Sequence, residues 1–267
     1  MDAMTDRLRA DIQALVPFAE RLADAARGET LPRFRSAGLA VETKGDLSPV
    51  TAADRAAEAA MRTLIAAEYP DHGILGEEQD SVGLDREFVW VLDPIDGTRS
   101  FVTGSPLWGT LVALSWHGQP VLGIIDSPAV DERWIGCIGR ATTYNGEPCR
   151  TRTLPTLGQG FLFTAAPDLF TATDRPGFEA LSARVADRRY SADCYAYGMV
   201  ASGWIDIALD PDTKPYDYMA LVPVVEGAGG VMTEWSGARP RIDGSGWVVA
   251  VGDPAQHDAV LAALAGA

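Results

Sequence analysis

The chain has 267 residues, 47% of them hydrophobic and 22% charged, enough to bury a substantial core without disulfides or a structural metal, and its length permits one or two domains. The formal net charge of -15 offers no basic stripe for nucleic acid and repels anionic lipid. No apolar run approaches the roughly 20 residues of a membrane helix, and the start "MDAMTDRLRADIQ" lacks the basic-then-apolar layout of a secretory signal, so the expectation is a cytoplasmic protein. Three scattered cysteines, Cys137, Cys149 and Cys194, form no metal-ligand pattern and read as reduced thiols.

From Leu8 to Ala26 apolar residues recur on one helical face, and the spacing predicts a first helix ending at Gly28. A second helix is expected from Ala53 to Tyr69, with Thr51 or Ser48 at its start and Pro70 ending it, which puts Asp54 in its first turn. "EFVWVLDPIDG" reads as a strand running into a turn. Next, "WGTLVALSWHGQPVLGIIDSP" reads as a hairpin turning at His117-Gly118-Gln119, with further strands at 132–138 and 160–163. This half, residues 1–145, is expected to pack helices on an antiparallel sheet. Beyond it, helices near 178–186, 193–203, 216–227 and 255–264 alternate with strands near 205–209 and 247–251, predicting a smaller α/β half over residues 146–267.

The most informative stretch is "VLDPIDGTRSF", where Asp93 and Asp96 flank Pro94-Ile95 directly after an apolar strand. Pro94 and Gly97 exclude an ordinary helix or strand interior, and a sharp turn can aim both carboxylates and the Ile95 carbonyl at one point. Two buried carboxylates in one turn repel each other unless a hard cation joins them. Upstream, "ILGEEQD" ends an apolar run with Glu77 and Glu78; downstream, "TKPYDYMALVPVVEGAGG" sets Asp217 at a helix start. Singly, each is also explained as a solvated turn acid or an acid favoured by the helix dipole. Together they supply the all-oxygen ligand set of a two-metal site, with ions roughly 3.5–4 Å apart, which selects magnesium or manganese over zinc. Bound cations would also reconcile an acidic chain with an anionic substrate.

"DPIDGTRSF", "GEE" and "PYDYMALVPVVEGAGG", in this order, together with "DLSPVTAADR", resemble the signatures of the inositol-monophosphatase-like superfamily over essentially the whole chain. The resemblance implies the layered αβαβα sandwich shared with fructose-1,6-bisphosphatases, an α/β (α+β) fold, and a magnesium-dependent phosphomonoesterase with two or three ions per site. Carried over, Glu77, Asp93 and the Ile95 carbonyl would hold a first ion, and Asp93, Asp96 and Asp217 a second. The Gly97 and Thr98 amides would meet the phosphate, and the Thr98 hydroxyl, oriented by Asp54, would help Glu77 deprotonate the attacking water. Lys44 and Asp46 would close over the site; Lys44 is equally explained as an exposed surface lysine. Members of this family are usually homodimers.

Within the superfamily, "DPIDGTRSFVTGSPLWGTLVAL" and "SADCYAYGMVASGWIDIALDPDTKPYDYMALVPVVEGAGG" resemble the histidinol-phosphatase branch, with Tyr216 where inositol enzymes usually carry tryptophan. Asp193 and Asp210 fall where this fold contacts the organic part of its substrate, and would suit the cationic groups of L-histidinol phosphate. Each also has a bland explanation, Asp193 as a helix N-cap and Asp210 as a turn residue. The alternatives are an inositol-1-phosphate phosphatase, a 3'-phosphoadenosine 5'-phosphate phosphatase, or a non-enzymatic interaction protein of the transcription or ribosome machinery.

Overall fold

The structure is a computed structural model that describes residues 5–37, 41–43 and 49–266. The expected first helix is two, α1 (Asp6–Gln13) and α2 (Val16–Thr30). Pro17 causes the break, because its ring cannot donate to the carbonyl of residue 13 and is tolerated only in a first turn. Short antiparallel strands β1 (Val41–Thr43) and β2 (Pro49–Thr51) lead into α3 (Ala52–Glu68), whose N-cap Thr51 forms a capping box with Asp54.

Seven strands then form one sheet in sequence order: β3 (Gly73–Gly76), β4 (Phe88–Asp96), β5 (Gly109–Trp116), β6 (Gln119–Ser127), β7 (Glu132–Cys137), β8 (Thr143–Tyr144) and β9 (Glu147–Pro148). All neighbouring pairs are antiparallel except β3 with β4. The β5–β6 hairpin turns on His117 and Gly118, both at positive φ (48° and 77°), as a type I′ turn requires. A short helix, α4 (Thr98–Thr103), follows β4.

Beyond Pro148 a second, five-stranded sheet is built from β10 (Phe161–Thr164), β11 (Asp187–Tyr190), β12 (Ile207–Asp210), β13 (Val231–Glu234) and β14 (Val248–Val251), in the order β11-β10-β12-β14-β13. Its helices are α5 (Arg175–Ser182), α6 (Asp193–Ala201), α7 (Pro215–Tyr218), α8 (Leu221–Gly227) and α9 (His257–Leu264). The expected helix over 216–227 is therefore split. Pro223 cannot donate to the Met219 carbonyl, so the chain turns between α7 and α8.

Alternation along the strands fixes the layers. On one face of the large sheet Trp90, Leu92, Val112 and Leu114 pack on α1–α3 through Ile12, Leu22, Met61 and Ile65. Val89, Val91, Leu111 and Ala113 point the other way, onto Tyr197 and Val200 of α6 and Val224 of α8. Those two helices also cover Ala208, Val248 and Ala250 of the small sheet, whose opposite face (Ile207, Leu209, Val249, Val251) packs on α5 and α9. The result is an αβαβα sandwich. Helix α8 lies directly against the large sheet because Gly123 and Gly136, paired across β6 and β7, have no side chain there. A methyl group at either would overlap the carbonyl oxygen of Ala220 or Pro223.

Candidate active site

The site begins with an irregularity in β4. Asp93 pairs with Leu111 and Asp96 with Gly109, so Pro94 and Ile95 together oppose only Thr110. In a regular strand residues three apart point to opposite faces; the extra residue of the bulge brings both carboxylates to the same side. Pro94 can occupy the bulge because it has no N–H for the ladder, and its carbonyl is held by the Thr110 hydroxyl at 2.8 Å. The Ile95 N–H donates to Asp93 Oδ1 at 3.0 Å, and the Cys194 N–H, from the first turn of α6, donates to Asp96 Oδ2 at 2.6 Å.

Asp217 arrives from α7, where its Oδ2 accepts the Lys214 N–H at 2.7 Å. One carboxylate oxygen each from Asp93, Asp96 and Asp217 lies within 4.8 Å of the others. Such crowding has an electrostatic signature. The Asp93 carboxyl is held well above the usual range, first by burial and then by the charges of Glu77, Asp96 and Asp217. Asp96 is raised by burial and by Asp193 and Asp217; Asp217 is pushed up to about 7, chiefly by burial, against the Lys214 amide that lowers it. A cluster of hard oxygen donors that cannot all ionise unaided fits a divalent cation bound through oxygen.

Glu77 leaves the end of β3 beside Asp93. The turn that carries it is held from behind by Glu58 of α3, a buried carboxylate that accepts the N–H groups of Glu78 at 2.7 Å and Gln79 at 3.1 Å. Asp54, one turn earlier on the same face of α3, accepts both the Thr51 N–H (2.8 Å) and the Thr51 hydroxyl (2.6 Å) on Oδ2. Its other oxygen, Oδ1, is buried and has no hydrogen-bond partner among the described residues. The expected Asp54–Thr98 pairing is not formed among the described residues. Asp54 is turned to Thr51 by the capping box, and the Thr98 hydroxyl donates to the Ile95 carbonyl at 3.0 Å.

Asp193 caps nothing. The N-cap of α6 is Ala192, and Asp193 itself, at φ 43°, accepts the Ser100 hydroxyl at 3.2 Å and so ties α6 to α4. Burial raises its carboxyl, with Ser100 and the Arg99 charge opposing. Asp210 is not a turn residue either: it is the buried last residue of β12, where Thr164, the Ala165 N–H and the Tyr197 hydroxyl all donate to it. Burial pushes it up to about 7. A cavity of about 270 Å³ brings Asp96, Asp193, Asp210 and Asp217 together with Tyr197 and Leu169.

The description of the inositol monophosphatase family matches residues 11–266. The chain belongs to the inositol monophosphatase family. It is 44% identical to a bifunctional phosphatase, IMPL2, of Arabidopsis thaliana chloroplasts, over 95% of this chain and 76% of that protein. It is 37% identical to a histidinol-phosphatase of Chlorobaculum parvum over 87% of this chain and 90% of the relative. Among solved structures an inositol monophosphatase from Zymomonas mobilis superposes with a TM-score of 0.87 at 42% identity, covering 95% of this chain and 98% of that one.

Members of the inositol monophosphatase family are phosphomonoesterases that generally use Mg2+, and the acidic cluster at the β4 bulge is the group here that could hold it. The fold joins Asp93, Ile95, Asp96, Gly97, Thr98 and Asp217, with Glu77 beside them; Asp54, Asp193 and Asp210 border the same region. Lys44 and Asp46 lie outside the described residues. Sequence reading passed over Glu58, Ser100, the Cys194 amide and Tyr197. Only Glu58 carried a signal, standing four residues after Asp54 on one helical face. No helix among the described residues is long and apolar enough to cross a membrane.

Proposed function

We propose that the chain hydrolyses L-histidinol phosphate to L-histidinol and phosphate. The observation that carries this reading is the excess of carboxylate in the cavity: beyond Asp96 and Asp217 of the acidic cluster it presents Asp193, whose Oδ2 among the described residues accepts the single Ser100 hydroxyl. A polyol needs hydroxyl partners, whereas an amine or imidazolium gains most from a partly buried anion. Histidinol-phosphatases 36% and 37% identical to the chain, covering 92% and 87% of it, support the same choice.

In this reading Glu77, Asp93 and the Ile95 carbonyl would hold one Mg2+ and Asp93, Asp96 and Asp217 another; Mn2+ would suit the same donors, and a third ion would sit against Glu77. Bound there, the cations supply Lewis acidity, lowering the pKa of water and neutralising phosphate charge. The remaining work belongs to the protein. The Gly97 and Thr98 amides, at the start of α4, orient the phosphate. Thr98 Oγ1 accepts a hydrogen bond from the attacking water and so orients it, while donating its own hydrogen bond to Ile95 O, as here, or to Asp54 Oδ1. Glu77 takes the proton that the water releases. Asp193 holds the substrate's cationic end, and Asp210, satisfied internally, reaches it through Tyr197.

The 42% identity to the Zymomonas inositol monophosphatase favours inositol 1-phosphate as the second reading. Measuring kcat/KM side by side on L-histidinol phosphate, inositol 1-phosphate and 3'-phosphoadenosine 5'-phosphate, with and without Mg2+, decides between them. The expected result is a preference for histidinol phosphate; a preference for inositol 1-phosphate overturns the assignment, and no metal-dependent turnover on any ester would turn attention to an interaction role. A homodimer in the cytoplasm is the accompanying expectation, checked by light scattering.

A further inference from the structure

Glu58 is a carboxylate with no solvent exposure at the back of the site, and among the described residues its hydrogen-bond partners are Arg62 and the turn after Glu77. One oxygen accepts the Glu78 N–H at 2.7 Å; the other accepts the Gln79 N–H at 3.1 Å and Arg62 Nε at 2.7 Å. Arg62, four residues on along α3, completes the frame by donating Nη1 to the Asp80 carbonyl and Nη2 to the Gln79 carbonyl, both at 3.0 Å. The turn is thus gripped on its amides by an anion and on its carbonyls by a cation, and the two gripping charges neutralise each other. Gly76 completes the fit, because any side chain there would collide with the Glu58 carboxylate.

We infer that the Glu58–Arg62 pair is a positioning clamp that fixes the Glu77 carboxylate against Asp93 and thereby sets the site's affinity for its divalent cation. Glu58 touches neither the carboxylate cluster nor the cavity; its effect passes through the peptide that follows Glu77. Holding two successive N–H groups fixes the orientation of that peptide plane, and with it the direction in which Glu77 leaves the chain. A hydrogen-bonded partner behind a ligand typically changes metal affinity by about 10- to 100-fold when lost. The inference rests on Glu77 being a ligand, as proposed above.

The test reads Mn2+ binding to the full chain by calorimetry and electron paramagnetic resonance, independently of turnover. Glu58→Gln keeps the shape but offers an NH2 group to an N–H donor, and should weaken Mn2+ binding about 10- to 100-fold while the circular dichroism spectrum persists. Arg62→Lys, which keeps the charge but loses the planar fork, should give a smaller loss and serves where Glu58→Gln does not fold. In the cycle with Glu77→Gln, Glu58→Gln should cost no further affinity, because it acts through a carboxylate already removed. Losses that add overturn the clamp in favour of a general structural role, as does unchanged Mn2+ binding in folded Glu58→Gln or Arg62→Lys. If Glu77→Gln alone leaves Mn2+ binding intact, the ligand assignment fails first.

Discussion

Asp93 meets burial and three neighbouring negative charges at once, and in the bulge it contributes the carboxylate shared by both proposed cation positions. Asp93→Asn should therefore abolish Mg2+-dependent turnover while leaving the fold intact, since an amide is at ease where an anion was crowded; near-normal activity in the folded variant would refute the assignment. Thr98 is a different case. Its hydroxyl donates to Ile95 O and ligates nothing in the proposal, so Thr98→Ala should lower kcat by about 10²–10⁴-fold with Mn2+ binding retained. A change in KM alone would reduce Thr98 to a substrate contact, and Asp54→Asn in the Thr98→Ala background should add less than its separate effect. At Asp193 the readout is selectivity. Losing a charge-assisted hydrogen bond costs roughly 1.5–3 kcal/mol, or about 10- to 150-fold in kcat/KM on histidinol phosphate, for Asp193→Asn. The neutral ester p-nitrophenyl phosphate should change little, and equal losses on both esters would mark Asp193 as a strut between α4 and α6.

At the level of elements, the proposed catalytic and binding groups sit where regular structure stops: the bulge of β4, the end of β3, the first turns of α4, α6 and α7. All but the start of α6 were legible because they are punctuated by Pro94, Gly97, Gly76 and Pro215, residues whose backbone chemistry disfavours an uninterrupted helix or strand. Glu58 was passed over, since its one signal, the four-residue spacing from Asp54, is shared by any solvated glutamate on an amphipathic helix until the turn that covers it is seen. Strand β11, "DRRY", is exposed along its length and carries no alternation to read. The two split helices turn on Pro17 and Pro223, where apolar periodicity outvoted proline in the reading and proline won in the fold. The position of α7 depends in turn on α8, which rests on bare backbone at Gly123. Gly123→Ala should lift α8 from the sheet, lowering stability by about 1–3 kcal/mol in urea unfolding, and should also weaken Mn2+ binding, because Asp217 lies just ahead of α8. A loss of stability with unchanged metal affinity would show that α7 is held independently.

Across the whole molecule the periodicities predicted helices on an antiparallel sheet followed by a smaller α/β half, and the αβαβα layering came from the family resemblance; the pairing order of the small sheet, β11-β10-β12-β14-β13, was not legible, because no local signal says which strands meet. What the layering accomplishes is to draw acids from both sheets and the helices between them into one place, at a cost in electrostatic repulsion that a bound cation would relieve. That cost has a definite pH dependence. The Asp217 carboxyl, ordinarily near 3.8, is pushed up to about 7 in the fold, so between those values the folded chain binds the proton that the unfolded chain has released. A raised carboxyl contributes its stability fully below about pH 4 and loses it as pH rises through about 7. Other ion pairs also titrate in this range, and the comparison that isolates the site is Asp217→Asn against the parent, both stripped of metal by chelator. The two should melt at similar temperatures near pH 4, and the variant should become the more stable of the two above pH 7. Adding Mg2+ should reverse the order there, raising the Tm of the parent far more than that of the variant, and the increment should shrink toward pH 5 as protons compete for the same oxygens. A variant no more stable than the metal-free parent at any pH, or an Mg2+ increment equal in both chains, would remove Asp217 from the cation site.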